Sequence, residues 1–217
     1  MDGWMIFGFG NYLSDIFDII HANGGKVKAI VNNIEPTEQQ RHNLERRLTL
    51  LGYHVPVVEL ADFRPQEGKK YFYGFLKGRE TLLPYVKRLF GIHFPSLIHP
   101  AAYLGSNVEV GEGVVIGPHA VIAPNCSIGD FSSLHRGLNI GHDTKLGAYS
   151  TVAPGTSIAG MVRIGSRTTV GIGATIIDGI TVGSHSIVGA GAIVVKDVPD
   201  NVVVIGVPAK VVRQNEP

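Results

Sequence analysis

The stretch SIGDFSSLHRGLNIGHDTKLGAYSTV, residues 127–152, decides the fold because an aliphatic residue stands at every sixth position. The same spacing runs from Leu104 to Val194, over sixteen positions without an interruption. Glycine or alanine usually follows the aliphatic residue, and a small or β-branched residue usually stands four positions after it. Neither the 3.6-residue period of a helix nor the two-residue alternation of a simple strand produces this pattern.

The six-residue period predicts a coil of triangular cross-section. Three short strands of one hexad each make a coil of eighteen residues, with the aliphatic side chains inside and the small residues at the bends. Stacked coils pair their strands in parallel, so residues eighteen apart become vertical neighbours. The repeat accommodates about five such coils, and we predict a mainly β fold, a parallel β-helix, over residues 96–217.

This series of hexads resembles the hexapeptide-repeat family of acyltransferases, whose fold is a left-handed parallel β-helix. The resemblance covers residues 100–212 and includes the sequence GVPAK at 206–210, which is similar to a closing motif beside bound coenzyme A. It implies a homotrimer in which ligands lie in the clefts between neighbouring β-helices, each a three-sided prism. It also implies acetyl-CoA as co-substrate, no metal, and a position for Lys210 near the cofactor.

Residues 1–95 lack the hexad and predict a small Rossmann-like α/β domain. The sequence WMIFGFG is typical of a strand ending in a glycine turn, LSDIFDIIHANGG of a helix, and KVKAIVNN of a second strand. Gly8 and Gly10, placed before a helix, can present backbone N–H groups to a phosphate. Because the full G-x-G-x-x-G pattern is absent, a plain tight turn is the alternative. Further on, YHVPVVEL and KKYFYGF predict strands, and GRETLLPYVKRLFG predicts a helix.

Such a domain in front of a hexapeptide prism resembles the sugar acetyltransferases that include sialic-acid O-acetyltransferases and UDP-4-amino-sugar N-acetyltransferases. The resemblance implies that residues 1–95 bind the nucleotide part of the substrate and that residues 96–217 bind acetyl-CoA and catalyse the transfer. This chain has Asn32 and Asn33 where the UDP-sugar enzymes carry acidic residues. An amide can still exchange hydrogen bonds with a ribose or a base, so both remain candidate substrate-binding residues.

The catalytic candidates lie in the segment NIGHDTKLG. Acyl transfer from a thioester needs a base for the attacking group and a donor for the oxyanion. His142 falls at a predicted outward corner beside Asp143. The segment matches the catalytic motif of the family, which implies His142 as general base and Asp143 as the carboxylate that orients its ring. Gly160, eighteen residues later, is predicted directly above His142 with a backbone N–H free for the thioester carbonyl.

The resemblance implies further contacts with coenzyme A. Gly173 and Gly191, eighteen residues apart, and the neighbouring Ala174 resemble the track of the pantetheine arm. Thr151 stands where some members of the family have a second histidine. His135 occupies a position where glycine or alanine is usual, so it is a candidate substrate-binding residue or an outward-turned polar residue.

Composition and charge disfavour several classes of partner. The formal net charge of +1 gives no electrostatic footprint for nucleic acid or an anionic membrane. The single cysteine, Cys126, cannot form a disulfide within the chain, which fits a reducing compartment. The N-terminal residues lack the basic region of a secretory signal, and glycines interrupt their apolar run. We therefore expect a cytoplasmic protein without a membrane insertion.

The main functional prediction is transfer of an acetyl group to an amino group, or a hydroxyl group, of a sugar that is nucleotide-linked or free. Two other functions stay open on this pattern. The γ-type carbonic anhydrases share the fold and hold zinc with histidines from adjacent subunits, two of them five residues apart in sequence, whereas His135 and His142 are seven apart. A non-catalytic scaffold that binds a nucleotide sugar would bind no coenzyme A.

Overall fold

The computed structural model describes residues 3–8, 10, 12–32, 42, 46, 48–49, 52 and 54–216. The internal contacts divide the chain into two compact units, residues 1–95 and residues 96–217. We call them the front unit and the prism. Within the described residues, no helix combines the length and the apolar character that a membrane span requires.

The front unit contains a four-stranded sheet in which every neighbouring pair of strands is parallel. The strand order is β3-β2-β1-β4. Its elements are β1 (Gly3–Phe7), α1 (Leu13–Ala22), β2 (Lys26–Asn32), β3 (Val57–Glu59), β4 (Lys69–Tyr73) and α2 (Arg79–Phe90). Helix α1 buries Ile16, Ile19 and Ile20, as their helical spacing predicts. The predicted order of strand, glycine turn, helix and strand is confirmed.

The prism is built from very short strands arranged in three parallel sheets. The two-residue strands are β5 (Leu97–Ile98), β6 (Tyr103–Leu104), β7 (Glu109–Val110), β8 (Val115–Ile116), β9 (Val121–Ile122), β10 (Ser127–Ile128), β11 (Ser133–Leu134), β12 (Asn139–Ile140), β13 (Lys145–Leu146), β14 (Thr151–Val152), β15 (Ser157–Ile158), β16 (Arg163–Ile164), β17 (Thr169–Val170), β18 (Thr175–Ile176), β19 (Thr181–Val182), β20 (Ile187–Val188) and β21 (Ile193–Val194). Each aliphatic residue of the hexad series is the second residue of a strand between β6 and β21. Strand β5 extends the coil beyond the start of the series.

Residues eighteen apart are vertical neighbours, as the period predicts. Ile140 pairs with Ile158, and Leu134 pairs with Val152, each in parallel register. These side chains form a continuous apolar core in which Leu134 and Val152 are fully buried. Burial of one such side chain contributes about 1.5–3 kcal/mol, so the stack of coils stabilises the prism along its whole length.

Two positions of each hexad have different requirements at the bends of the coil. The third residue after each aliphatic position from Leu104 to Val188 adopts a positive φ, which glycine tolerates at Gly155 and which non-glycine residues such as Phe131 and Asp143 also adopt. The residue directly after the aliphatic position is small because the next coil is close. A Cβ on Gly141 would lie 2.5 Å from backbone atoms of Ala159 and Gly160. The frequent glycine at that position therefore serves coil packing, whereas the sequence pattern predicts a role in bending.

Several serines and threonines stand four positions after the aliphatic residue, where they are buried and hydrogen-bonded. Ser150 Oγ donates to the Gly165 carbonyl at 2.9 Å, and Thr144 Oγ1 donates to the Ala159 carbonyl at 3.1 Å. Similar side-chain bonds recur along the prism, so each coil is fastened to the next at its corners.

The C-terminal residues close one sheet of the prism. Strand β22 (Val202–Gly206) pairs in parallel with β20, and strand β23 (Ala209–Gln214) pairs antiparallel with β22. Together they complete an eight-stranded sheet that begins at β5. The predicted closing segment is thus a β-hairpin at the edge of that sheet.

Candidate active site

His142 stands at the corner of the prism between strands β12 and β13. Ile140 is buried in the core, and Gly141 lies against the next coil, so the chain turns outward at the following residue. The His142 side chain is 59% exposed and the Asp143 side chain 51% exposed. The corner therefore presents an imidazole and a carboxylate to a ligand on the surface of the prism.

The imidazole and the carboxylate form a direct hydrogen bond. His142 Nδ1 lies 2.8 Å from Asp143 Oδ2. Because an ionised carboxylate can only accept, the proton of a neutral imidazole is assigned to Nδ1. The lone pair of Nε2 is then available to accept a proton from a substrate. Asp143 has a φ of 58°, and this turn geometry holds its carboxylate beside the ring.

Gly160 lies against the face of the His142 side chain, one coil further along. A Cβ at Gly160 would be 2.8 Å from His142 Nε2 and 2.9 Å from Cε1. The backbone N–H of Met161 donates to the His142 carbonyl at 2.8 Å, which fixes the two coils in register. A side chain at position 160 would therefore displace the imidazole.

The backbone N–H of Gly160 is not free in the structure, so this part of the prediction was wrong. It donates to Asp178 Oδ1 at 3.2 Å. Asp178 lies one further coil along, eighteen residues after Gly160, and its side chain reaches back to the N–H. The same period that located Gly160 could have drawn attention to Asp178, but the period does not predict a side-chain conformation.

Three of the predicted cofactor residues and the predicted substrate-binding residue His135 lie away from the His142 corner of the same chain. His135, Gly173, Ala174 and Gly191 all lie at the corners between the sheet of β11 and the sheet of β12. Gly173 and Gly191 face open space, with φ values of 64° and 65°. Ala174 is fully buried in the core, and its N–H donates to the Gly171 carbonyl at 3.2 Å, so the structure does not present this residue to a ligand. His135 is partly buried, and its N–H donates to the Val152 carbonyl at 2.9 Å.

Thr151 and Lys210 lie in the eight-stranded sheet. Thr151 is the first residue of β14 and is partly exposed. Lys210 is exposed on β23, in the C-terminal hairpin. The structure therefore places the predicted cofactor residues of one chain in three regions. These are the His142 corner, the corner between the sheets of β11 and β12, and the eight-stranded sheet.

The front unit contains a cavity of about 700 Å³ lined by Gly8 and Gly10. Their N–H groups do not point to a ligand, because Gly8 donates to the Val31 carbonyl and Gly10 to the Gly74 carbonyl, each at 2.8 Å. The predicted phosphate contact through these two N–H groups was therefore wrong. The glycines instead let the chain pass closely, since a Cβ on Gly10 would lie 2.9 Å from the Gly74 oxygen.

Two cationic side chains line the same cavity and were missed in the sequence. Lys77 precedes helix α2, and Arg88 lies near its end. Phe75 and Tyr85 contribute aromatic faces to the wall. Their positions in sequence gave no signal, because these residues and the glycine turn line one cavity only in the folded unit. The cavity thus offers positive charge and aromatic surface beside the glycine turn.

Asn32 is the last residue of β2 and is 2% exposed. Its Nδ2 donates to Glu59 Oε2 at 2.8 Å, at the carboxyl end of β3. Asn33 lies outside the described residues. The sequence pattern identified Asn32, but it did not identify its carboxylate partner.

Two family models match the prism. The bacterial transferase hexapeptide model, of six repeats, matches residues 92–124, and the model for the hexapeptide repeat of succinyl-transferase matches residues 161–196. A histidine-to-asparagine variant of perosamine N-acetyltransferase from Caulobacter crescentus, solved with CoA and GDP-perosamine, is 32% identical with a TM-score of 0.81. The match covers 99% of this chain and 98% of that chain. The chain belongs to the hexapeptide-repeat acetyltransferases.

Other solved structures have the same architecture. The acetyltransferase domain of PglB from Neisseria gonorrhoeae, in complex with acetyl coenzyme A, is 26% identical with a TM-score of 0.80, over 97% of this chain and 98% of that chain. WeeI from Acinetobacter baumannii, 23% identical over 98% of this chain and 100% of that chain, shares the fold with a TM-score of 0.79. A comparison with curated protein sequences gives no match.

These comparisons confirm the predicted fold class, a left-handed parallel β-helix with a small N-terminal α/β domain. They also confirm the predicted enzyme class and co-substrate: the protein is an acetyl-CoA-dependent sugar acetyltransferase. Across the described part of the chain, no three His, Cys, Asp or Glu side chains are grouped so that they could hold a metal ion.

Proposed function

We propose that the protein transfers the acetyl group of acetyl-CoA to the amino group of a nucleotide-linked amino sugar, with His142 as general base. The hydrogen-bonded pair of His142 and Asp143 carries the proposal, because it leaves Nε2 as an exposed proton acceptor at a corner of the prism. A positioned base of this kind contributes about 10²- to 10⁴-fold to the rate.

The reaction follows from this geometry. The sugar amine attacks the thioester carbonyl as His142 Nε2 removes its proton, and a C–N bond forms. The tetrahedral intermediate then collapses, the C–S bond breaks, and the imidazolium returns the proton to the departing sulfur of coenzyme A. Asp143 stabilises the imidazolium through the Nδ1–H bond in the intervening step. No covalent enzyme intermediate is required.

Gly160 is the candidate backbone donor for the oxyanion, because it lies beside the His142 ring. Gly160 packs against the His142 ring, and its N–H donates to Asp178 Oδ1. The Asp178 side chain is exposed, so it can rotate away when a thioester carbonyl takes its place. An N–H donor of this kind contributes about 2.7–4 kcal/mol to transition-state stabilisation in enzymes where it has been removed.

The nucleotide part of the substrate fits the front unit. A diphosphate carries negative charge, and the cavity beside the glycine turn supplies Lys77 and Arg88. In parallel α/β sheets, ligands bind outside the carboxyl ends of the strands, where Gly8 and Asn32 lie. The perosamine N-acetyltransferase structures contain GDP-perosamine, which supports an amino sugar and a nucleoside diphosphate as the acceptor class.

We propose a homotrimer whose clefts assemble the site. Gly173 and Gly191 lie at a different corner from His142 in the same chain, so a coenzyme that contacts all three residues needs two subunits. Thr151 and Lys210 complete the proposed cofactor surface from the eight-stranded sheet, and His135 lies at the Gly173 corner. Three chains of 23.2 kDa give a particle of about 70 kDa, which light scattering can measure. The single cysteine supports a cytoplasmic location.

A coenzyme A release assay tests the function. The protein is incubated with acetyl-CoA and with GDP-, UDP- or CMP-linked amino sugars, and free amino sugars serve as the comparison. We expect release with at least one nucleotide-linked amino sugar and an alkali-stable amide product. An alkali-labile ester would indicate O-acetylation. Coenzyme A binding without release on any acceptor would favour the scaffold function.

A further inference from the structure

The carboxyl edge of the front sheet holds an acidic group that the sequence pattern does not reveal. The second strand ends in Asn32 rather than in an acidic residue, but the neighbouring strand β3 ends in Glu59. The two residues are partners in the parallel register, so they stand side by side at the same edge. The Leu60 N–H donates to the Asn32 carbonyl at 2.8 Å and fixes this alignment.

The Asn32 amide holds the Glu59 carboxylate in place. Asn32 Nδ2 donates to Glu59 Oε2 at 2.8 Å. Because a carboxylate only accepts, the amide nitrogen must face Glu59, and Oδ1 must point elsewhere. Among the described residues, no donor lies within hydrogen-bond distance of this buried Oδ1. A buried acceptor without a partner destabilises the fold, and the hydrogen bond to the exposed Glu59 is what the amide contributes at this position.

The place of this pair in the sheet suggests its ligand. Gly8, at the end of β1, lines the cationic cavity, and Asn32 and Glu59 follow on the next two strands. Neighbouring strands are about 4.8 Å apart, so the carboxylate lies within about 10 Å of the glycine turn. A nucleoside attached to a diphosphate in the cavity would extend along this edge. In Rossmann-type sheets, an acidic residue at this edge accepts a hydrogen bond from the ribose.

We propose that Glu59 accepts hydrogen bonds from the nucleoside of the sugar nucleotide and that Asn32 is a positioning residue for its carboxylate. This proposal rests on the proposed function, since it assumes a nucleotide-linked substrate. A carboxylate binds two adjacent donors, which a nucleoside offers either at the ribose diol or at the N1–H and N2–H groups of guanine. The strand β3 thus supplies the acid that β2 lacks.

Calorimetric titration of the full-length protein with GDP, UDP and 2′-deoxy-GDP tests the proposal. Glu59→Gln removes the charge from an exposed side chain, and we expect a Kd about 10- to 100-fold higher for GDP. If the ribose is the donor, the loss is equal for GDP and UDP, and the unmodified protein binds 2′-deoxy-GDP weakly. If guanine is the donor, the loss is confined to the two guanine nucleotides. Asn32→Leu should give a smaller loss with the same nucleotide preference.

Glu67→Gln is the matched control. Glu67 is exposed and precedes β4, so the Glu67→Gln substitution removes the same charge from the opposite edge of the same sheet. We expect nucleotide affinities within twofold of the unmodified protein. If the unmodified protein binds GDP and UDP and the Kd values of Glu59→Gln lie within twofold of its values, Glu59 has no role in nucleotide binding. Asn32 then only fastens β3. If the unmodified protein binds no nucleoside diphosphate, the nucleotide-linked acceptor and the role of Glu59 both fail.

Discussion

Replacement of Gly160 by alanine tests how the prism positions its base. The new Cβ would lie 2.8 Å from His142 Nε2, whereas ordinary contacts begin at 3.4 Å, so the ring must move by about 0.6 Å or more. A misplacement of about 1 Å can lower a rate by about 10²-fold. We therefore expect kcat/KM for acetyl-CoA to fall by about 10- to 100-fold in a coenzyme A release assay. The melting temperature should change by less than about 4 °C, because the displaced ring is an exposed side chain.

Two controls separate ring displacement from general damage. Gly141→Ala places a Cβ 2.5 Å from backbone atoms of the next coil, so we expect it to destabilise the fold by about 1–3 kcal/mol. In a His142→Ala background, Gly160→Ala should cause little further loss of activity, because no ring remains to be displaced. An equal loss from Gly160→Ala with and without the imidazole would refute the reasoning.

Three further predictions concern other parts of the molecule. Asp178→Ala frees the Gly160 N–H, and we expect kcat/KM for acetyl-CoA to rise a few-fold, as loss of one competing hydrogen bond implies; a drop as large as that of His142→Ala would instead make Asp178 part of the catalytic machinery. Burial raises the pKa of the Cys126 thiol, so the native protein should resist iodoacetamide at mildly alkaline pH and react only when unfolded; rapid alkylation of the folded protein would contradict this. Lys77→Ala should raise the Kd for GDP, and this Kd should depend less on salt concentration than in the unmodified protein, as measured by calorimetry at two salt concentrations. An unchanged Kd would show that Lys77 does not contact the phosphate.

The prism could be predicted from sequence because each of its constraints is local and repeated. An aliphatic residue every sixth position determines the core, and residues eighteen apart become neighbours, as Ile140 and Ile158 do. The same spacing of eighteen residues correctly predicted that Gly160 lies beside His142. It could not predict that Asp178 engages the Gly160 N–H, because a rotamer of an exposed side chain is not determined by the period.

The front unit was harder to predict because its site depends on tertiary packing. The glycine turn was recognised, but the carbonyls of Val31 and Gly74 that occupy its N–H groups come from other strands. Lys77 lines the cavity beside the glycine turn only because the folded front unit brings these two segments together. Glu59 is separated from Asn32 by 27 positions in sequence, and only the register of two parallel strands joins them.

The most direct test of the central claim is the rate of coenzyme A release by His142→Ala on the preferred nucleotide-linked amino sugar, with the substrate dissociation constants measured in parallel. His119→Asn is the control, because His119 is an exposed corner histidine with a φ of 57°, which asparagine tolerates. We predict a loss of about two to four orders of magnitude in kcat for His142→Ala, little change in binding, and full activity for His119→Asn. A His142→Ala enzyme that works at the rate of the unmodified protein would contradict the assignment of the base.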